Sequence, residues 1–168
     1  NLSDCLALWV PPDGQYRDTA LRVSCDEQLE WLCTLFAGRL WIAVSLCLDG
    51  QDRQKRQVLE ALGASLDVPL CAAPEVLMHQ RRRRRVRDTV TAIRLGLEIS
   101  RLGLAGAGNA EQYLWSRQRL AACYPPALLE ETGRIARHCD FALEELRYEY
   151  PRELVPSGHN PQSWLGEL

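Results

Sequence analysis

Short, continuously apolar runs alternate with amphipathic stretches over the first half of the chain, and this rhythm predicts the elements. Cys5 to Val10 (CLALWV) is apolar and stops at Pro11-Pro12, as a buried strand entering a loop does. Asp26 stands where a cap would precede a helix over Glu27 to Phe36, in which Leu29, Leu32, Cys33 and Phe36 recur at helical spacing, and Gly38 follows as a stop. Arg39 to Leu48 (RLWIAVSLCL) is β-rich and nearly continuous in its apolar character, the pattern of a strand covered on both faces. Gly50-Gln51-Asp52 opens a second helix with Val58, Leu59, Leu62 and Leu66 in one stripe, and Val68 to Ala73 (VPLCAA) is a third short strand. Strands linked by long helices need crossover connections, so the prediction is α/β with a parallel sheet. The pattern alone does not choose between an open sheet and a closed barrel.

After Ala73 the rhythm changes. Pro74 to Arg85 reads as a polar loop, and Val86 to Ile99 as a helix with Val86, Val90, Ile93 and Leu97 on one face. Gly103 to Gly108 (GLAGAG) is a flexible break. Asn109 to Ala122 and Pro126 to Cys139 read as two further helices, the second with proline in its first turn, where a missing N–H costs little. From Arg147 onward, Pro151, Pro156 and Pro161 mark an extended connector.

With 168 residues, 46% hydrophobic and 25% charged, the chain has the balance of a globular domain with a real core. No apolar run reaches the roughly 18 residues that a membrane-spanning helix needs, and the first residues, Asn1-Leu2-Ser3-Asp4, carry neither an initiator Met nor a signal-peptide pattern. The expectation is a segment starting mid-protein, with no membrane partner. Seven cysteines, an odd number without C-x-x-C spacing, speak against a zinc site or a disulfide framework and for reduced thiols in a cytoplasmic setting. The net charge of −2 favours no partner, but Arg81, Arg82, Arg83, Arg84 and Arg85 form an unbroken run followed by Arg87, Arg94 and Arg101. This patch is a candidate phosphate contact. The nearest aromatics, Tyr113 and Trp115, lie beyond the glycine break, so the run reads as a solvated loop and not as a base-stacking platform.

In parallel α/β folds, ligands bind beyond the carboxyl ends of the strands. The strand 68–73 delivers Glu75 and His79 to that place, and both are metal ligands by type. Two ligands do not make a hydrolytic centre, which needs three or more per ion and an open position for water. His138 falls at a helix end, where a cationic imidazole is favoured, and His159 lies in the tail. GLAGAG joins helix to helix and lacks the Lys-Ser/Thr of a phosphate-binding loop, and no serine sits in a nucleophile elbow.

A resemblance adds to this. The stretch from Phe141 to Pro156 (FALEELRYEYPRELVP), continuing through Gly158-His159-Asn160-Pro161-Gln162-Ser163-Trp164-Leu165, resembles the junction between the PHP (polymerase and histidinol phosphatase) domain and the polymerase core in bacterial error-prone C-family DNA polymerases. Gly38 to Val44 (GRLWIAV), Thr91 to Gly96 (TAIRLG), Asn109-Ala110-Glu111 and Arg119 to Pro125 (RLAACYP) are similar in the same order, so the likeness is good over 38–168 and weak over 1–37. It implies part of a distorted (β/α)7 PHP barrel over 1–108, its helical closure over 109–146 and the entry to the polymerase palm over 147–168. In the family the strand corresponding to 68–73 runs into Gly-Asp-Val-His-Met-His, whose Asp and first His resemble metal ligands. Here those positions are Glu75 and Leu77, the preceding Gly is Pro74, and the last His survives as His79. The family's early His-x-His ligands would lie before Asn1 and its polymerase carboxylates beyond Leu168. The resemblance thus implies a degenerate metal site acting as scaffold. No cofactor is expected in this chain, Mg2+ is expected for the parent polymerase, and Zn2+ or Mn2+ for intact PHP relatives. DNA is the implied partner, with the sliding clamp and mutagenic repair proteins beside it. A stand-alone PHP-type metal phosphoesterase and a non-enzymatic α/β interaction module are the alternatives.

Overall fold

The computed structural model describes residues 2, 4–12, 19–106, 108–146, 155 and 157–166. Three short strands, β1 (Ala7–Trp9), β2 (Leu40–Val44) and β3 (Leu70–Ala72), lie in that order and run parallel, joined by α1 (Thr19–Leu35) and α2 (Asp52–Leu66). The predicted strand–helix–strand–helix–strand order and the parallel sheet are both present. β2 is buried at all five positions, with Leu40, Ile42 and Val44 alternating with Trp41 and Ala43. The first set packs with Leu29 of α1 and Leu59 of α2, and Trp41 packs with Cys71 and with Ile135 of α5 (Pro126–His138). A strand covered on both faces explains the unbroken apolar run.

Several boundaries differ from those predicted, each for a physical reason. α1 begins at Thr19 and runs through Asp26, because nothing in Thr19 to Cys25 is a glycine or proline that would end it. β2 stops at Val44 because the backbone beyond it finds other partners: the Leu46 N–H donates to Tyr124 Oη, and the Cys47 and Leu48 N–H groups donate to the Asp52 carboxylate. The predicted loop 74–85 ends early. Arg81–Arg83 form one 3-10 turn and Arg84 starts α3 (Arg84–Leu95), which the left-handed Gly96 (φ 63°) terminates. The predicted helix over 109–122 is reduced to α4 (Arg117–Cys123), capped by Ser116, whose side chain accepts the Arg119 N–H.

By its contacts the chain forms two units, Asn1–His138 and Cys139–Leu168, so 109–138 belong with the sheet. Of the predicted connector, 147–154, 156, 167 and 168 lie outside the described residues. The described part is not wholly extended: it holds α6 (Pro161–Leu165), whose cap Asn160 accepts the Ser163 N–H at 2.8 Å. Among the described residues no helix is long and apolar enough to cross a membrane.

Candidate functional site

The carboxyl ends of β2 and β3 are where a parallel sheet offers a ligand site. Here their polar groups bond to one another. Ser45, a buried polar residue, accepts the Glu75 N–H on its Oγ at 3.2 Å. Tyr124 Oη accepts the Leu46 N–H at 3.0 Å, and burial pushes the phenol pKa up to about 12. The Asp52 carboxylate accepts the N–H groups of Cys47 and Leu48 at 3.0 and 2.8 Å, which holds Leu48 in the left-handed region (φ 52°). Asn109 Nδ2 closes the turn by donating to the Cys47 carbonyl at 2.6 Å.

The strand-end segment is then bound along its length by residues 111–114. Gln112 Nε2 donates to the Glu75 carboxylate, and the Gln112 carbonyl accepts the N–H groups of Leu77 and Met78 at 2.9 and 3.2 Å. Leu114 N–H donates to the Met78 carbonyl at 3.0 Å, making a parallel bridge between Met78 and Tyr113. Backbone pairing of this kind, instead of the predicted helix, is what 109–116 are used for.

The arginine run is divided by its partners. Arg81 pairs with the Glu111 carboxylate, which also binds Arg119 at 2.7 Å. The Arg81 guanidinium stands 5.5 Å from the Tyr113 ring centre, and that of Arg119 stands 4.9 Å from the Trp115 ring. The hydrogen bond and charge of Glu111 raise the Arg81 pKa above its usual value. Of the two aromatics that the sequence places far from the run, Tyr113 therefore reaches its first arginine in space, while Trp115 meets Arg119. Arg82 donates to Gln80 Oε1 at 2.7 Å, and Arg84 lies 3.4 Å from Asp88. Arg82, Arg83 and Arg85 are the exposed members whose guanidiniums take no part in these ion pairs. Glu111 is the site residue that chemistry read along the chain does not identify. No periodicity places a carboxylate beside an arginine thirty positions away.

The exposed His79 lines a groove of about 530 Å3 with Leu77, Met78, Val86, Val90 and the guanidiniums of Arg83, Arg87 and Arg94. These residues do not suit a divalent cation. Glu75 is engaged by Gln112, Leu77 offers no donor atom, and His79 shares its surroundings with three cations. Among the described residues no group of three or more His, Cys, Asp or Glu is placed to hold a metal ion.

No family model matches the sequence. Individual proteins do. The chain is 47% identical over 167 residues to an error-prone DNA polymerase of Methylococcus capsulatus, 46% over 164 residues to that of Dechloromonas aromatica, and 42% over 167 residues to that of Pseudomonas aeruginosa. The matches take in 98 to 99% of the chain, and so include most of the first 37 residues, where the likeness read along the sequence is weak. The chain spans 15% of the length of these relatives. Over nearly its whole length, then, the chain is related to one segment of the bacterial error-prone DNA polymerases.

Proposed function

We propose that the chain is a supporting, non-catalytic segment of a translesion DNA-directed DNA polymerase. The observation that carries this reading is the 47% identity to an error-prone polymerase over 99% of the chain, with only 15% of that relative spanned. In this reading the three-stranded sheet is part of a PHP barrel whose metal site has degenerated, and residues after 138 lead toward the polymerase palm. Glu75 and His79 are remnants of that site. The occupied hydrogen-bonding groups at the strand ends support a structural role for it. The chain itself takes no metal, while the parent polymerase uses Mg2+ for nucleotidyl transfer on a DNA primer in the cytoplasm, alongside the sliding clamp and mutagenic repair proteins.

The DNA-contact role of the arginine run is tested in the longer polymerase that carries this chain. Arg82, Arg83 and Arg85 are changed to Ser together, which leaves the Arg81–Glu111–Arg119 network intact. If these side chains meet phosphates, DNA affinity at low salt falls by about tenfold or more and the salt dependence becomes shallower. Unchanged affinity and unchanged primer extension remove them from the DNA path. Loss of all primer extension activity in the unsubstituted polymerase preparation, on damaged and undamaged templates alike, would sink the polymerase reading itself.

A further inference from the structure

The apolar stripe of α3 faces away from the body of the protein. Val86, Val90 and Ile93 recur at helical spacing and are 50%, 59% and 75% exposed, while Ala92, on the opposite side, is 3% exposed. One helical row away, Arg83, Arg87 and Arg94 line the groove against the segment that carries Leu77 and His79. We propose that this groove docks an acidic amphipathic helix of a separate partner protein.

Charge and shape both select that occupant. The groove wall has three arginines and one histidine and no carboxylate. Arg87 Nη1 is shielded from solvent and has no hydrogen-bond partner among the described residues, so turning the guanidinium outward to meet a carboxylate gives up no bond at that atom. The apolar row, Val86 and Val90 in the groove lining and Ile93 on the exposed face beside it, matches a second helix that presents Leu-like side chains at i, i+3, i+4 and i+7, with acidic residues on its flank. A nucleic acid strand would use the arginines but not the aliphatic row, and the lining offers no Phe, Tyr or Trp ring, only the imidazole of His79, on which a base could stack. An apolar centre beside a charged rim suits an interface that opens and closes. The proposal does not take the polymerase reading as a premise, and it requires this face to stay open in any longer protein that carries the chain.

The test is fluorescence anisotropy with the 168-residue chain and a labelled helical peptide of about sixteen residues, built from Leu at helical spacing and Glu between. A peptide of the same composition in scrambled order is the control. The expected result is saturable binding of the patterned peptide alone. Val90→Asp and, separately, Ile93→Asp should weaken it by about tenfold or more, and Arg87→Gln should weaken it by about fivefold. Both apolar positions are solvent-exposed, so the variants keep the fold, as circular dichroism would verify. Equal binding of the scrambled peptide, or no effect of Val90→Asp and Ile93→Asp, overturns the proposal. So does displacement by a single-stranded oligonucleotide whose own affinity falls in the Val90→Asp variant, which would assign the groove to nucleic acid. Failure of the longer polymerase to bind a peptide that the chain binds would show the groove to be covered within one polypeptide, and would overturn it too.

Discussion

Cys71, in the middle of β3, is 1% exposed, and desolvation raises its thiol pKa from 9.0 to about 11, with the nearby Glu131 carboxylate adding to the shift. A thiol whose folded pKa lies above its unfolded value favours the folded state fully below the unfolded value. That advantage is lost as pH rises from about 9 to about 11. Stability measured by denaturant titration should therefore fall through this alkaline window, and Cys71→Ala should make the fall shallower. Iodoacetamide at mildly alkaline pH should spare Cys71 until the chain is unfolded. The sequence already identified this residue as a small hydrophobe, because Leu70 and Ala72 flank it in an apolar run. Glu75 and His79 were legible by type but not by setting. Whether a carboxylate is available depends on neighbours such as Gln112, and these come from a segment distant in sequence.

Gly63 shows how tightly the second crossover helix lies on the sheet. A methyl group there would meet Leu70 Cδ1 and stand 2.7 Å from the Val68 carbonyl oxygen, a backbone atom that cannot swing aside. Alanine gains up to about 1 kcal/mol in helix propensity, but overpacking costs more. Gly63→Ala should lower stability by a net of about 1–2 kcal/mol, seen as a lower thermal midpoint. The elements of this half were readable from period alone, because the central strand β2 is sealed on both faces and each helix buries one stripe. Their ends were not. β2 ends where Asp52 and Tyr124 capture its amides, and 109–116 became an extended partner for Met78 because Asn109 and Gln112 bond across to residues 47 and 75–78. Local periodicity has no access to such long-range bonds. Of the predicted stripe, Val86, Val90 and Ile93 do share one face of α3, while Leu97 falls beyond Gly96, where the helix ends; the exposure of that face was not legible, because amphipathicity marks a face for contact without naming what it contacts.

Over the whole chain, the parallel topology follows from the alternation of strands and helices, and the relation to the polymerases from several ordered motifs, neither of which requires atomic detail. The state of the strand-end site does require it. From that state we expect the purified 168-residue chain, incubated with Zn2+ or Mn2+ and then desalted, to retain well under one ion per molecule by elemental analysis. Two or more tightly held ions, with phosphate released from model esters, would favour the phosphoesterase alternative instead.

The bonding of Ser45, Asp52, Asn109, Gln112 and Tyr124 around the strand ends also bears on reversal. Placing histidine at Leu77 would supply one donor but no open space around it. Glu75 would still be tied to Gln112, and the turn after β2 would still be closed by Asp52 and Asn109. An ion site at this rim is separated from the present protein by several coordinated replacements, each of which would first loosen the strand ends before any ion could enter.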